Sequence, residues 1–334
     1  MLEIHGLDLG AGSGVGETRC EFAAGSFNVV LGRNRSGKTA LCRLLAGLPG
    51  PATGRVLLDG VDISALPAAQ RPVALVNQAF VNYPHWTVAR NIASPLIAAG
   101  HSRAEIAQQV ASIAAQLQLE PLLERLPEQL SGGQQQRLAI GRALAKGARV
   151  LVMDEPLVNL DYKLREALET ELAGLLGKDS VAPEQDFTLV YTTTDPRDAL
   201  LLADQVLLLA DSLLLQRGPV DLVYGAPGSR KAAELMSDPA VNAIDDDGWL
   251  VRPEHLSLTP RAADSTAFPV TVDSYETNGS QTYLHGQYQS RSGDLRNWIA
   301  KLPGMHRFDP GTQVTLHARS ADLLCLPAAV TAAN

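Results

Sequence analysis

The 334-residue chain is poor in cysteine, aromatic residues and long apolar runs, and it carries no excess of positive charge. Its three cysteines, Cys20, Cys42 and Cys325, are odd in number and far apart, which speaks against a disulfide framework and for a reducing, cytosolic compartment. The start, Met1 to Gly10, lacks the basic residues and apolar run of a secretory leader. The most apolar stretch, Ala199 to Gln216, is broken by Asp204, Gln205 and Asp211 and falls short of the roughly 20 apolar residues that cross a bilayer. Any membrane association is therefore expected to run through a partner. With 28 Lys and Arg against 36 Asp and Glu, the formal net charge is -8, which argues against a general nucleic-acid binder. The 46% hydrophobic content supplies a packed interior and rules out a disordered chain. The length exceeds one typical core of about 100–200 residues, so two domains are expected.

Up to about residue 225, short β-rich runs alternate with longer segments of helical period, the pattern of a parallel sheet flanked by helices. The runs Phe27 to Leu31, Val73 to Asn77, Val150 to Asp154, Phe187 to Thr192 and Val206 to Ala210 are apolar almost throughout, which suits strands covered on both faces. Ile106, Val110, Ile113 and Leu117 recur at helical steps, as do Leu164, Leu168, Leu172 and Leu175. Gly225, Pro227, Gly228 and Pro239 mark a boundary. Beyond it, Phe268 to Val272, Gln281 to Tyr288 and Gln313 to Ala318 are short β-type runs, favouring a small barrel or sandwich. The expected division is residues 1–235 for the first domain and 241–334 for the second.

Three segments carry chemistry. Gly32-Arg33-Asn34-Arg35-Ser36-Gly37-Lys38-Thr39 matches G-x-x-x-x-G-K-[ST] between a predicted strand and a predicted helix. Small residues let such a loop turn its N–H groups toward phosphates, and the following helix adds its N-terminal partial charge. Lys38 would reach the β- and γ-phosphates and Thr39 would ligate Mg²⁺. Val150 to Asp154 ends in the adjacent carboxylates of Asp154 and Glu155, the first placed to hold a metal through its water shell and the second to polarise an attacking water. Asp-Glu also ends many strands simply because the chain emerges into solvent. In Leu130-Ser131-Gly132-Gly133-Gln134-Gln135-Gln136-Arg137, Ser131 and Gln134 form a capping box. Two glycines after a cap cost about 1 kcal/mol each relative to Ala, unless the helix start must approach an anion closely.

Taken in order, these segments resemble the ATP-binding cassette (ABC) ATPases over about residues 1 to 235. Leu130 to Arg137 is similar to the family signature, Gln78 to its Q-loop glutamine, and Asn159-Leu160-Asp161 to its D-loop. The resemblance implies an α/β P-loop nucleotide-binding domain with a helical subdomain, ATP and Mg²⁺ as ligands, and a metal set of Thr39, Gln78 and Asp154. It also implies a head-to-tail dimer in which Ser131, Gly132, Gly133 and Gln134 serve the partner's nucleotide, with closure on ATP driving two permease subunits. Such a subunit would sit at the cytoplasmic face of the inner membrane and meet a solute-binding protein only indirectly.

Val251-Arg252-Pro253-Glu254-His255 and Gly279 to Gly286 resemble the OB-type regulatory domain of maltose-type import ATPases. Asn82-Tyr83-Pro84 with Thr87 to Leu96 is similar to the glycerol and polyol branch. The region after Gln78 would then be the groove for a permease helix, with Tyr83, Pro84 and Trp86 beside it; the same residues also read as packing of the helical subdomain. The chain departs from the family pattern at four places. Thr194 stands at the switch-histidine position, Gly10 to Gly14 offers no ring for adenine, Ala40 lacks a hydroxyl, and Arg35 replaces a usual glycine. Threonine donates a hydrogen bond but cannot carry imidazolium charge. These losses fall on the nucleotide-facing half, so the expectation is a subunit paired with a second, more regular ATPase, its own site (Glu155, Gln78 and Thr194 catalytic) turning over slowly. The alternatives are a regulatory subunit whose partner hydrolyses, an importer ATPase for another small solute, and a soluble cassette protein on DNA or ribosomes. The last lacks a basic arm or second cassette. His85, His101, His255, His285 and His317 lack the paired spacing of metal ligands.

Overall fold

In the computed structural model, residues 1–10, 19–78, 81–157, 165 and 188–326 are described. The chain divides into two compact units, Met1–Pro219 and Val220–Asn334.

The first unit begins with β1 (Leu2–Asp8), β2 (Cys20–Phe22) and β3 (Phe27–Gly32), then α1 (Lys38–Ala46), β4 (Thr53–Leu58), β5 (Val61–Asp62) and β6 (Val73–Val76). Helices α2 (Val88–Ala98), α3 (Arg103–Gln116) and α4 (Gly132–Ala145) follow, and then β7 (Val150–Asp154), β8 (Thr188–Thr193), a helix Pro196–Leu202, β9 (Gln205–Ala210) and β10 (Leu213–Pro219). One sheet has the order β2-β1-β4-β5 and is antiparallel. The other has the order β10-β9-β3-β8-β7-β6, parallel except for the β10 edge. Strands β3, β7 and β8 are buried at every residue, which is why they read as continuous apolar runs rather than alternating ones. Leu41, Cys42 and Leu45 of α1 pack with Val30, Val150, Val152 and Val190, joining both sheets in one core.

Helix α1 ends at Gly47, in the left-handed region at φ 73. The buried Arg71 guanidinium donates to carbonyls of its last turn, Leu44 O at 2.8 Å and Leu45 O at 3.1 Å. A Cβ at Gly47 would stand 2.5 Å from Arg71 Nε, so glycine here serves both the turn and the capping cation. The helix expected across Leu164 to Leu175 lies outside the described residues, apart from Arg165.

The second unit opens with short helices at Val220–Gly225 and Arg230–Leu235. Strands β11 (Asn242–Ala243), β12 (Trp249–Val251), β13 (Ser265–Thr277), β14 (Gln281–Gln289), β15 (Leu295–Pro303), β16 (Gln313–Arg319) and β17 (Leu323–Cys325) form two antiparallel sheets, β11-β12-β17 and β15-β14-β13-β16. Burial alternates along β14, the mark of a sheet with one covered face. Its core centres on Trp298, whose ring lies 4.3 Å from Tyr288 and 5.1 Å from Phe268, and whose indole N–H donates to Ala243 O.

The division falls earlier than the sequence boundary near residues 235–241. Both short helices belong to the second unit because the buried Arg252 guanidinium gathers their carbonyls, donating to Tyr224 O at 2.7 Å, Met236 O at 3.2 Å and Ala233 O at 3.3 Å. Strand β15 was not anticipated in sequence, although Trp298, Ala300 and Leu302 alternate inward along it.

Candidate functional site

Strands β3, β8, β7 and β6 are consecutive neighbours and all parallel, so the segments leaving their carboxyl ends share one edge of the sheet. An open α/β sheet binds its ligands at that edge. Onto it the topology brings Gly32 to Thr39 after β3, Thr194 after β8, Glu155 after β7 and Gln78 after β6.

The loop after β3 closes tightly. A Cβ at Gly32 would collide with the Ser36 hydroxyl and stand 2.5 Å from Leu209 O. Gly37, at φ 102, supplies the left-handed residue that opens α1. Lys38 is only 3% exposed, and its ammonium donates to Gly32 O at 2.6 Å and Arg33 O at 2.9 Å while pairing with Glu155 Oε1 at 3.1 Å. All three ammonium donors are thereby used. The buried Ser36 hydroxyl has no hydrogen-bond partner, and Thr39 is exposed at the start of α1.

Arg35 stands at φ 64, where a side chain costs about 1–2 kcal/mol and glycine does not. Arg35→Gly should therefore raise thermal stability by roughly 0.5–1 kcal/mol after the extra freedom of glycine in the unfolded chain is subtracted. Melting of the full chain by calorimetry checks this; an unchanged or lower Tm contradicts it.

Beside the loop, Asp154 ends β7 buried, and Glu155 follows at φ 46, a region that non-glycine residues rarely occupy. The Thr192 hydroxyl accepts from the Glu155 N–H at 2.9 Å and donates to Asp154 Oδ1 at 3.0 Å. Under the loop, burial and then the neighbouring Asp154 carboxylate push the Cys42 thiol well above its ordinary range, so it stays a protonated donor. Thr193 donates to Asp198 Oδ2 at 2.5 Å and accepts from Asp195 N, while Arg165 bridges Asp195 and Asp198 at 2.9 and 2.7 Å. Burial works to raise the Asp195 pKa, but hydrogen bonds from Arg197 and the charges of Arg197 and Arg165 leave it lowered. Thr194 itself is exposed, lining a small pocket with Glu155, Arg165 and Tyr191.

Ser131 and Gln134 cap each other reciprocally at the start of α4, with Gly132 and Gly133 in its first turn. Gln78 is exposed after β6. The following loop is pinned by buried Asn91, which donates to Tyr83 O, Trp86 O and Thr87 O. Tyr83 and Trp86 contact each other at 4.4 Å, with Arg142 over the first ring at 4.2 Å and Arg90 over the second at 4.8 Å. Asn91, Arg142 and Thr192 were not singled out in sequence, since only tertiary neighbours distinguish them from ordinary polar residues. Asn159 to Asp161 and Ala11 to Gly14 lie outside the described residues.

A parallel sheet with a glycine loop, a buried lysine and a strand-terminal acidic pair at its carboxyl edge defines a P-loop nucleoside triphosphatase. Residues 16–158 match the ABC transporter family and residues 249–326 match the TOBE domain. The alpha-glucoside transport ATP-binding protein AglK of Rhizobium meliloti (strain 1021) is 33% identical, over 96% of this chain and 92% of the relative. The sn-glycerol-3-phosphate import ATP-binding protein UgpC of Chromobacterium violaceum is 32% identical, over 92% and 88%. The spermidine/putrescine import ATP-binding protein PotA of Mesorhizobium japonicum is 33% identical, over 86% and 85%. Among solved structures, the dimeric cassette MJ0796 bound to ADP and Pi has the same fold, with TM-score 0.54 at 24% identity over 66% of this chain and 99% of that one. The chain belongs to the ATP-binding proteins of ABC transporters: it is an ATP-binding P-loop ATPase with a C-terminal TOBE domain of OB-like β fold. Among the described residues no helix is long and apolar enough to cross a membrane.

Proposed function

We propose that this chain is the motor subunit of an importer for sugars or polyol derivatives such as glycerol phosphate, working with two permease subunits and a solute-binding protein at the cytoplasmic face of the inner membrane. The observation that carries the ATPase step is the Lys38–Glu155 ion pair at 3.1 Å. With Lys38 already held by two loop carbonyls, the Glu155 carboxylate stands in the place of an arriving anion. A γ-phosphate oxygen displaces it from Lys38, which frees Glu155 to accept the proton of a water attacking the γ-phosphorus as the bond to the bridging oxygen breaks. The loop N–H groups hold the phosphates, with the unpaired Ser36 hydroxyl facing Gly32 inside the loop. Thr39, Asp154 and Gln78 are hard oxygen donors of the kind Mg²⁺ takes, and they would hold it. When bound, that ion neutralises charge developing between the β- and γ-phosphates. Thr194 offers its hydroxyl at the switch position, and Ser131 to Gln134 serve the nucleotide of the facing subunit.

Glu155→Gln separates a working site from a regulatory one. The share of turnover that this site supplies is expected to fall about 10²–10³-fold, while ATP binds more tightly because the competing carboxylate is gone. Steady-state hydrolysis and nucleotide titration of the purified transporter check both; a loss under about twofold in turnover assigns hydrolysis to another subunit.

The relatives' names span alpha-glucosides, sn-glycerol 3-phosphate, polyamines and Fe(3+) ions, which supports a reading in which solute choice resides in other subunits. A second, non-identical ATPase is the further part of this reading. It is supported by the left-handed Arg35 and by Thr194, both on the nucleotide-facing half, beside an intact signature helix. Subunit masses of the transporter purified from its native host are expected to include a second ATPase at equal copy number; two copies of this chain alone would overturn the pairing.

A further inference from the structure

The three consecutive threonines at the end of β8 and just past it use their hydroxyls differently. Thr193 turns to Asp198 and the Asp195 N–H, Thr194 is exposed, and Thr192, fully buried, turns to the acidic pair. We propose that Thr192 is the positioning residue of the ATPase site, its single hydroxyl holding the Asp154 carboxylate and the Glu155 peptide in register. The proposal rests on the ATPase reading above and deepens it.

Three observations carry it. A hydroxyl has one hydrogen to give, and here it goes to Asp154 Oδ1 at 3.0 Å, leaving the oxygen to accept the Glu155 N–H at 2.9 Å. Both bonds come from a side chain whose β-branching restricts χ1. Next, Glu155 at φ 46 has left the β7 ladder. Its peptide is held in a costly conformation by a neighbouring strand's side chain, and such strain persists only where the surroundings impose it. Finally, Thr192 pairs with Asp154 on one side and with Val30 on the other. It therefore ties the acidic pair to the strand that feeds the phosphate loop. The Cys42 thiol lies beside both Asp154 and Thr192, so after loss of the Thr192 hydroxyl Asp154 keeps a neighbouring donor while the Glu155 N–H loses its acceptor, and with it the direction of the Glu155 carboxylate toward Lys38.

The test compares Thr192→Val, which keeps the shape and removes the hydroxyl, with Thr192→Ser, which keeps the hydroxyl, both in the assembled transporter. In the valine variant kcat is expected to fall about 10-fold or more with the KM for ATP changed less than about twofold, and the serine variant should restore most of kcat. Hydrogen exchange of the peptide spanning Glu155, read in the nucleotide-free protein, should quicken in the valine variant and return in the serine one. A valine variant as active as the unsubstituted protein overturns the proposal, as does a serine variant no better than valine, or kcat and KM shifting together with a lowered Tm. The exchange measurement is independent of turnover. If Glu155→Gln leaves hydrolysis intact, the ATPase reading fails on its own, and unchanged exchange at Glu155 in the valine variant would still sink the positioning role separately.

Discussion

Replacing Lys38 with alanine should lower ATP turnover at this site about 10²–10³-fold, the loss typical when one preorganised donor to a developing anion is removed. Lys38 is 3% exposed and its ammonium is already oriented by Gly32 O and Arg33 O, so phosphate binding has only the Glu155 carboxylate to displace. Arginine is no substitute, because a planar guanidinium has the wrong size and fork for a slot shaped around a point charge. In the alanine variant the Glu155 carboxylate, 16% exposed in the ion pair, loses its cation yet keeps access to water, so the fold should survive. Hydrolysis assays of the transporter, with circular dichroism to verify folding, check this. Turnover unchanged from the unsubstituted protein would show that hydrolysis does not run at this loop.

The second large effect lies in the TOBE unit. Arg252 is completely buried, its guanidinium stacked 3.8 Å over the Tyr224 ring. It donates to the Tyr224, Ala233 and Met236 carbonyls and to the Ser237 hydroxyl. Burial holds its pKa below the ordinary arginine value. The charge is met by carbonyls at the C-terminal end of the helix Arg230–Leu235, where the backbone dipoles present partial negative charge. Burial pushes the neighbouring Tyr224 hydroxyl upward, and its bond to Glu254 does so further, so it remains a donor. Arg252→Leu removes the cation but strands several buried acceptors, an expected loss of about 3–5 kcal/mol. Against a typical total of roughly 5–15 kcal/mol, the unit should melt more than about 10 °C earlier. Calorimetry of the full chain tests this. A shift under about 2 °C would mean that the short helices hold to the β unit without Arg252.

The candidate nucleotide site was legible as a motif because it is contiguous. A phosphate loop needs its glycines, lysine and threonine within one turn, and a capped glycine pair needs only one helix start, so Gly32 to Thr39 and Ser131 to Gln134 can be read without a fold. Strands β3, β7 and β8 were equally plain, because burial on both faces leaves an unbroken apolar run. The place where the compact units divide, between Pro219 and Val220, is not legible for the opposite reason. Gly225, Pro227, Gly228 and Pro239 have the composition of a linker, and nothing local reveals that Arg252 collects the carbonyls of the helices around them. Strand β15 escaped because its inward positions, Trp298, Ala300 and Leu302, differ widely in size.

By itself the sequence determined the class of fold, the ATPase family and the β character of the second unit, and it pointed to the loop Gly32 to Thr39 and to the acidic pair, all properties of short-range pattern and residue chemistry. Tertiary structure alone decided that β8 lies between β3 and β7, and that Thr192 rather than Thr194 reaches Asp154 and Glu155. It also decided that Lys38 meets Glu155 and that Arg35 and Glu155 occupy left-handed backbone. Those outcomes depend on which strands become neighbours, and pairing across a parallel sheet joins segments far apart in the chain, where no local pattern records the partner.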